Sequence, residues 1–510
     1  MHVALASLVA LLAAAPVLAQ GGYVPRDERG RLDARVRTNI ESNGVRTSLF
    51  NFGQSGRTGA VPDEIPYEWP RGTRRHYLAL TGLLVGARVE SVTGQPTVIV
   101  DVPNYRTNTN DPSGAWTWAP VPEYLGGGQF ARSDRPETWP AVWPDRLGDA
   151  DDPGWAGSWN GLLGKGALID GVEAYTHYTD DGYTRNRRSE GTTYHPDSTD
   201  LDRAGLGVVV SERTLAFRDP LVSDAVFTVR DLYNAGTEDL AAVGATVWVA
   251  DLVGGDIDAG DDVPLFVDDL DLVVFGDRDG MSTDPAFLGT RTVGAVALVL
   301  LEAPGEPAFA NVQHLPAGAI SFQTVRDEVL YYQFMVPAPY VPPAGGAQDN
   351  DAFASVAPFP LAAGTSARLV TALVFAEVDY TYSASNPQMR YAVLFRKAEQ
   401  ARAFYAGGFV TATEVDPVGE GVGLRGVSPN PSSAETRVAF SLSAPQTVRL
   451  DVLDVLGRRV AVLADGPLAA GPHEATWDGR SGGVRVGSGV YVLRLTTPDG
   501  VQTRTVVRLR

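Results

Sequence analysis

Apolar and polar residues alternate along the C-terminal part of the chain, and this period of two restricts what that part can fold into. Val438, Phe440 and Leu442 form one such series, and the same spacing returns at residues 448–452 and 491–495. Asp-Gly pairs, which favour tight turns, separate the series. About six or seven short strands, with a turn every 8–12 residues or so, indicate a small antiparallel β-sandwich.

The same segment carries a set of residues in a characteristic order. They are Asn430, Pro431, Asp454, Gly457, Arg458, Trp477, Asp478, Gly479, Gly489 and Tyr491. With these residues, positions 424–510 resemble the type A C-terminal sorting domain of the type IX secretion system. The resemblance implies an Ig-like β-sandwich, export across the outer membrane by the type IX secretion machinery, and release or anchoring at the cell surface. It implies nothing about the activity of the residues that precede it.

The N-terminal residues agree with an exported protein. Residues 3–19 are apolar and end in Val17-Leu18-Ala19, a small-residue pattern typical of signal-peptide cleavage. We therefore expect a signal peptide over residues 1–19 that is recognised by the Sec translocon. The mature chain would begin at Gln20 and pass through the periplasm to the extracellular space or the outer cell surface. No other segment is long and apolar enough to cross a membrane as a helix, so we expect no transmembrane segment in the mature chain.

Charge and cysteine content exclude several classes of function. The formal net charge is −19, although residues 424–510 alone are basic, so the acidic excess lies in the residues before them. Nucleic acids and anionic membranes favour Lys and Arg, and we expect neither as a partner. The chain has no cysteine, which excludes disulfides, thiolate metal sites and a cysteine nucleophile.

The fold class predicted from these patterns is mostly β, with multidomain antiparallel β-sandwiches and long loops, ending in the small Ig-like sorting domain. The predicted regions are a Trp- and Pro-rich β and loop region at 20–204, a β-sandwich with an Asp-rich loop and one C-terminal helix at 205–408, a linker at 409–423, and the sorting domain at 424–510.

Several segments within the second region carry their own signals. Alternation at residues 206–210, 225–229 and 243–249 predicts an antiparallel meander. Apolar residues at helical spacing predict a helix over residues 391–405, which Gly407-Gly408 would end. Prolines and glycines predict a loop over residues 337–360.

Seven of the nine tryptophans lie between residues 69 and 159, interleaved with prolines. Two interpretations are open. Exposed indoles on rigid loops could stack against the sugar rings of an extracellular glycan, with Trp116, Trp118, Trp139 and Trp143 as the candidates. Buried indoles could instead attach the loops to a sheet, and the cost of leaving Trp in water favours this structural interpretation.

Residues 251–284 contain eleven Asp, no Glu and a single base, Arg278. Short carboxylate side chains that converge around a glycine suit Ca²⁺, which takes roughly six to eight oxygen ligands. The candidate ligands are Asp251, Asp256, Asp258, Asp261, Asp262 and Asp268. The spacing departs from an EF-hand, because position 12 is Val267 rather than Glu, and it is closer to calcium loops at the edge of a β-sandwich. A solvated acidic loop is the alternative.

Signatures of enzymes are mostly missing. The sequence has no HExxH, no GxSxG and no phosphate-binding glycine loop. His177 and His195 flank a Tyr- and Asp-rich loop, where isolated histidines more often complete hydrogen bonds than catalyse. Glu123 and Glu173 would serve as a glycosidase pair only if the fold brought them together. No catalytic residue is therefore assigned.

The leading hypothesis is a non-enzymatic structural or binding protein, secreted or held at the cell surface, whose loops are stabilised by Ca²⁺. The alternative is a glycan-binding protein or glycoside hydrolase that uses the Trp-rich loops.

Overall fold

The computed structural model describes a large part of the chain. The described residues are 29–57, 63–103, 117–141, 143, 157–181, 194–201, 203, 205–287, 292–305, 307–322, 324–343, 349–383, 385–409, 423–428, 435–442, 444–454, 458–486, 489–498 and 500–508. Several predicted features lie outside them, namely the signal peptide, Trp116, Asn430, Pro431, Gly457 and most of the linker.

The chain divides into two compact units, Met1–Arg402 and Ala403–Arg510. The strands of the first unit up to residue 179 are β1 (Arg37–Ile40), β2 (Thr47–Phe50), β3 (Gln54–Gly56), β4 (Tyr67–Glu68), β5 (His76–Glu90), β6 (Pro96–Asp101), β7 (Ala119–Pro120), β8 (Ala131–Arg132), β9 (Asn160–Gly161), β10 (Gly164–Lys165) and β11 (Gly171–Thr179).

The first unit continues with strands β12 (Val208–Phe217), β13 (Ala225–Asn234), β14 (Leu240–Asp251), β15 (Asp262–Val267), β16 (Leu272–Asp277), β17 (Ala295–Glu302), β18 (Phe309–Pro316), β19 (Asn350–Val356), β20 (Phe359–Leu361) and β21 (Ser366–Ala376). Its helices are α1 (Asp327–Leu330), which continues as a π-helical turn over Tyr331–Met335, α2 (Pro387–Arg390) and α3 (Ala392–Ala406), the last of which runs into the second unit. The predicted helix is therefore confirmed.

Two large antiparallel sheets form the first unit. Sheet A has the strand order β1-β2-β3-β5-β14-β19-β18, with β4 and β6 also paired to β5 and β20 paired to β14. Sheet B has the order β15-β16-β17-β21-β13-β12-β11-β7, with β8 also paired to β11. In sheet B the hairpin β15–β16 is therefore at one edge, and that edge carries the acidic residues.

One apolar core is shared by the two sheets, so the unit is a β-sandwich. Leu83 and Val247 of sheet A and Val210, Val296 and Phe375 of sheet B belong to the same buried cluster. A second cluster places residues of the α1 region against sheet A, where Leu330 and Phe334 pack with Trp248 and Phe353. Strand β5 is thus covered on both faces, which explains why its sequence reads as an almost continuous apolar run.

The sheets cross the boundary predicted between residues 204 and 205. Strand β11 pairs with β12 in sheet B, and β5 pairs with β14 in sheet A, so residues 20–204 and 205–408 contribute to the same sandwich. The predicted meander is also corrected, because β12 and β13 pair with each other but β14 belongs to the other sheet. A further correction concerns the predicted loop at 337–360, which contains β19, a strand between β14 and β18 of sheet A.

The second unit is built from antiparallel strands, as the alternation predicted, although nine strands lie within its described residues where six or seven were expected. They are β22 (Gly423–Ser428), β23 (Thr436–Leu442), β24 (Gln446–Asp454), β25 (Arg459–Leu468), β26 (Gly471–Trp477), β27 (Arg480–Ser481), β28 (Val484–Arg485), β29 (Gly489–Thr497) and β30 (Gly500–Arg508). Strands β22-β23-β26 form one sheet and β25-β24-β29-β30 form another. Phe440, Leu450, Trp477 and Leu493 pack in the core of this unit.

Within the described residues, no helix has both the length and the apolar character needed to cross a membrane.

Candidate metal centre

The hairpin β15–β16 has acidic residues at both of its ends. Asp262 and Asp277 face each other at the open end, where the two strands enter and leave the hairpin. Val267 and Leu272 pair at the closed end, next to the turn that begins at Asp268. The six residues of each strand separate the two ends by roughly 16 Å. The hairpin therefore divides the Asp-rich stretch into two separate acidic groups.

Three carboxylates converge at the open end. Asp258 precedes the 3₁₀ turn Ala259–Asp261, and Asp277 is the last residue of β16. One ligand oxygen from each of Asp258, Asp261 and Asp277 lies within 4.8 Å of the other two. We refer to these three residues as the acidic triad. Carboxylate oxygens at such separations can share one bound cation.

Two members of the acidic triad are oriented by protein donors through one oxygen only. Asp258 Oδ1 accepts hydrogen bonds from the backbone N–H of Thr283 (3.1 Å) and from its hydroxyl (3.0 Å). Asp277 Oδ1 accepts a hydrogen bond from the backbone N–H of Gly280. The second oxygen of each, Oδ2, is buried and accepts no hydrogen bond from any described residue. Each side chain is thus oriented through one oxygen, while its other oxygen has no hydrogen-bond donor among the described residues.

Asp262 extends the group towards the interior. Like Asp277 it is 0% exposed, and its Oδ2 accepts a hydrogen bond from the backbone N–H of Val253 at 3.0 Å. Its Oδ1 is buried without a hydrogen-bond donor among the described residues. Asp251 lies behind it and is held by Asn350, whose backbone N–H donates to Asp251 Oδ1 at 2.7 Å.

Burial makes the charged forms of these acids unfavourable while no cation is present. It raises the pKa of Asp277 to about 7, and the nearby carboxylates add to the shift. It also raises the pKa of Asp262 well above the usual range, with further contributions from Asp251 and Asp277. Asp261 shifts in the same direction, mainly through burial and then through Asp258. The charged forms of these acids would therefore need a positively charged partner to be stable.

The remaining predicted ligands lie elsewhere. Asp256 is exposed and forms a two-point ion pair with Arg57, at 2.9 and 3.0 Å, and this interaction lowers its pKa. Asp268 is exposed at the closed end of the hairpin. The structure thus brings Asp258 and Asp261 together, with Asp262 and Asp251 behind them, and separates Asp256 and Asp268 from the triad.

Asp277 is the ligand candidate that the sequence analysis missed. The signal that could have found it is the pair of apolar runs at 262–267 and 272–277, each with an Asp at its outer end. If these runs pair as a hairpin, the two outer Asp residues must face each other.

The predicted stacking tryptophans that the structure describes are largely covered. Trp118 is 0% exposed, and its indole N–H donates to the carbonyl of Leu83 at 2.9 Å. Trp143 is 4% exposed and packs edge-on against Trp159. Trp139 is partly buried and donates to the carbonyl of Arg132 at 2.7 Å. This burial favours the interpretation in which the indoles attach loops to the sheet.

The acid and base candidates near the Trp-rich region are also engaged in the fold. Glu173 is 0% exposed and accepts hydrogen bonds from the indole of Trp159 and from Arg213. His177 is buried on β11, with its Nδ1 2.8 Å from the hydroxyl of Ser211, and burial lowers its pKa to about 3. Such an imidazole stays neutral at pH 7, which agrees with a role in hydrogen bonding.

Comparison with known proteins identifies no family for this chain. No family model matches the sequence, and no curated protein matches it. Among solved structures, a polysaccharide lyase is similar with a TM-score of 0.20 and 10% identity, over 59% of this chain and 35% of that one. The heparan sulfate lyase from Pedobacter heparinus is similar with a TM-score of 0.20 and 11% identity, over 40% of this chain and 20% of that one. Similarity at this level gives no reason to transfer an activity.

Proposed function

We propose that this chain is an exported, non-enzymatic β-sandwich protein with a cation site at the open end of the hairpin β15–β16, and that the cation is Ca²⁺. The observation that carries the proposal is the acidic triad. Two of its carboxylates are each oriented by a protein donor through one oxygen and have a second, buried oxygen without a donor. One carboxylate oxygen from each of Asp258, Asp261 and Asp277 lies within 4.8 Å of the other two, and a cation bound among them would neutralise their charge.

The type of ligand favours calcium over other common metals. All the candidate ligand atoms are carboxylate oxygens, which hard cations prefer, whereas Zn²⁺ favours nitrogen and sulfur. Mg²⁺ demands a nearly ideal octahedron and gives up its water reluctantly. Ca²⁺ accepts an irregular shell, so three protein oxygens together with water and backbone oxygens suit it best.

The bound ion would stabilise an edge of the sandwich. Hairpin β15–β16 pairs with the rest of sheet B only through β17, so its outer strand has a neighbour on one side. A cation that joins Asp258 and Asp261 before β15 to Asp277 after β16 would connect both entrances of this hairpin. This role fits an extracellular protein without disulfides, because calcium would do what a covalent cross-link does elsewhere.

Export is the second part of the proposal. It is supported by the apolar N-terminal segment and by the resemblance of residues 424–510 to the type IX sorting domain. In a host with this secretion system, we expect full-length protein to reach the cell surface or the medium, and protein lacking residues 424–510 to remain in the periplasm. Equal export of the two forms would contradict this part of the proposal.

The cation site is tested by isothermal titration calorimetry of CaCl₂ into the full chain after EDTA treatment and dialysis. We expect one site, and a loss of affinity of at least about tenfold in the Asp277→Asn and Asp258→Asn variants. The matched control is Asp268→Asn, which makes the same change at the closed end of the same hairpin and should keep the wild-type affinity. No binding by the wild type, or equal loss in all three variants, would overturn the proposal.

A further inference from the structure

The segment that leads into α3 lies against the open end of the hairpin. Arg390, the last residue of α2, is 5% exposed. Its Nη2 donates to the backbone carbonyls of Asp277 and Arg278, both at 2.8 Å. The guanidinium also lies over the ring of Tyr380, 4.4 Å from its centroid. A buried arginine therefore holds the main chain of a triad residue without contacting the triad oxygens through these bonds.

Tyr380 lies against the same stretch of main chain. A Cβ at Gly280 would lie 2.4 Å from the Tyr380 ring, and Gly280 has a φ of +78°, which favours glycine. The backbone N–H of Gly280 is the donor that orients Asp277 Oδ1. Arg390 and Tyr380 thus both lie against the main chain that carries and orients Asp277.

The far part of α3 holds the closed end of the hairpin in a similar way. Nη2 of Arg402 donates to the carbonyls of Leu270 and Asp271, the latter at 3.1 Å, and to the carbonyl of Leu300 at 3.3 Å. Residues 379–402 therefore contact both ends of the hairpin through arginine–carbonyl hydrogen bonds. Only the Arg390 end is next to the acidic triad.

We propose that Arg390 is the positioning residue of the cation site, and that through it cation binding tightens the packing of residues 379–402 on the hairpin. This inference rests on the proposed calcium site. Bound Ca²⁺ would pull the Asp277 carboxylate from one side while Arg390 holds the Asp277 carbonyl from the other, so each interaction restrains the same residue. Coupling of this kind is reciprocal: the ion stabilises the packing by the same factor by which the packing raises the affinity for the ion.

Arg390 fits this role better than that of a substitute for the metal. Its charge lies close to the acidic group, but its hydrogen bonds to the hairpin go to backbone carbonyls, and the Oδ2 atoms of Asp258 and Asp277 have no donor among the described residues. Groups that orient a ligand without touching the metal typically change metal affinity by about 10–100-fold when they are removed.

The test combines calcium titration with hydrogen–deuterium exchange of the full chain, with and without CaCl₂. In the wild type we expect calcium to slow amide exchange in peptides covering residues 379–402. Arg390→Gln should lower the calcium affinity by at least about tenfold and remove most of this protection. Arg390→Lys keeps the charge and one donor, so it should recover part of the affinity.

The matched control is Arg402→Gln, which removes the equivalent contacts at the closed end of the hairpin. It should speed exchange around residues 268–271 and leave the calcium affinity within about twofold of the wild type, because the triad is roughly 16 Å away. An affinity in Arg390→Gln equal to that of the wild type would overturn the inference, as would an equal loss in Arg402→Gln.

The outcomes for the two proposals can be told apart. If the wild type binds no calcium, the proposed function fails and the inference fails with it. If the wild type binds calcium but residues 379–402 exchange at the same rate with and without the ion, only the coupling through Arg390 is wrong. The wild-type exchange comparison needs no variant, so it decides the question even if Arg390→Gln does not fold.

Discussion

Sheet B contains buried acids in two places, and the two groups differ in whether arginines of the chain pair with them. In its β11–β13 region, Glu212 accepts a hydrogen bond from Arg230 at 2.8 Å, and Glu173 is paired with Arg213. In the hairpin β15–β16, Asp262 and Asp277 face each other across two strands. The first region has its cations within the chain, whereas the second has carboxylate oxygens with no donor among the described residues.

We interpret this difference as the distinction between a buried acid with a structural role and one that would bind a cation. Burial alone does not separate them, because Glu173 and Asp277 are both 0% exposed. What separates them is whether each carboxylate oxygen has a donor. Glu173 accepts hydrogen bonds through both oxygens, and its partner Arg213 also lies over the Tyr175 ring at 4.5 Å. Asp277 has a donor on one oxygen only.

The largest loss of stability is expected when an arginine that pairs with a buried acid is removed. Arg230→Met would leave Glu212 buried with its charge unmatched, and loss of one partner of a buried pair costs about 3–5 kcal/mol. Urea denaturation should show this decrease in the free energy of unfolding. The double variant Arg230→Met/Glu212→Gln should recover most of it. A loss below about 1 kcal/mol for the single variant would mean that the Arg230–Glu212 pair contributes little to stability. The contrast between this pair and the acids of the hairpin would then fail.

Calcium should have the next largest effect, and only at the hairpin. A ligand that binds the folded state stabilises it by about 2.7 kcal/mol at a hundred times its dissociation constant. We expect CaCl₂ to raise the melting temperature of the wild type and of Arg402→Gln, and excess EDTA to reverse the rise. Asp277→Asn should not respond to either. A melting temperature of the wild type that EDTA leaves unchanged would remove the distinction between the two regions.

Lowering the pH should reduce the stability contributed by His177 in the β11–β13 region and increase the stability contributed by Asp277 in the hairpin. The folded-state pKa of His177 is lowered by burial to about 3, below its unfolded value, so its contribution is present above about pH 6.5 and is lost as the pH falls towards 3. The pKa of Asp277 is raised to about 7, so protonation favours the folded state as the pH falls below 7.

Denaturation between pH 7.5 and 5.5 separates these contributions. We expect the wild type to lose more stability than His177→Gln over this interval, by about 1 kcal/mol. Parallel pH profiles for the wild type and His177→Gln would show that His177 is protonated in the folded state as easily as in the unfolded one.

The smallest change in stability is expected when one acid of the hairpin is replaced by its amide and calcium is removed with EDTA. Asp277→Asn removes one of two buried acids that face each other, and burial and the neighbouring acids disfavour the charged form of Asp277. The variant should therefore be slightly more stable than the wild type without calcium and less stable with it. Asp268→Asn should change neither value. If Asp277→Asn is destabilised in EDTA as strongly as Arg230→Met, the two regions do not differ as described.

Local sequence patterns predicted helices and strands better than they predicted which strands pair with each other. Helix α3 was predicted to within one residue at each end, since a long apolar pattern is a local property. Strand β14 was also recognised, but its neighbours β5 and β19 are far away in sequence, and nothing local assigns it to sheet A rather than to the meander. Strand β19 was missed because it reads NDAFASV, in which small Ala and Ser side chains give little alternation.

The candidate site was predicted only in part, again because local patterns do not show which residues become partners in the fold. The acidic stretch was evident from composition, and of the six predicted ligands the structure brings Asp258 and Asp261 close together. Asp277 required the register of a hairpin, and the exclusion of Asp256 required its distant partner Arg57. The role of the tryptophans depended on burial, which a sequence does not show.

The most direct measurement is an anomalous difference map from crystals of the full chain grown with CaCl₂, with TbCl₃ as a stronger scatterer in parallel. We expect a single strong peak per chain in the hairpin β15–β16, within about 2.3–2.6 Å of carboxylate oxygens of Asp258, Asp261 and Asp277. A map with no peak at the open end of the hairpin, or with its peak at the closed end near Asp268, would contradict the account.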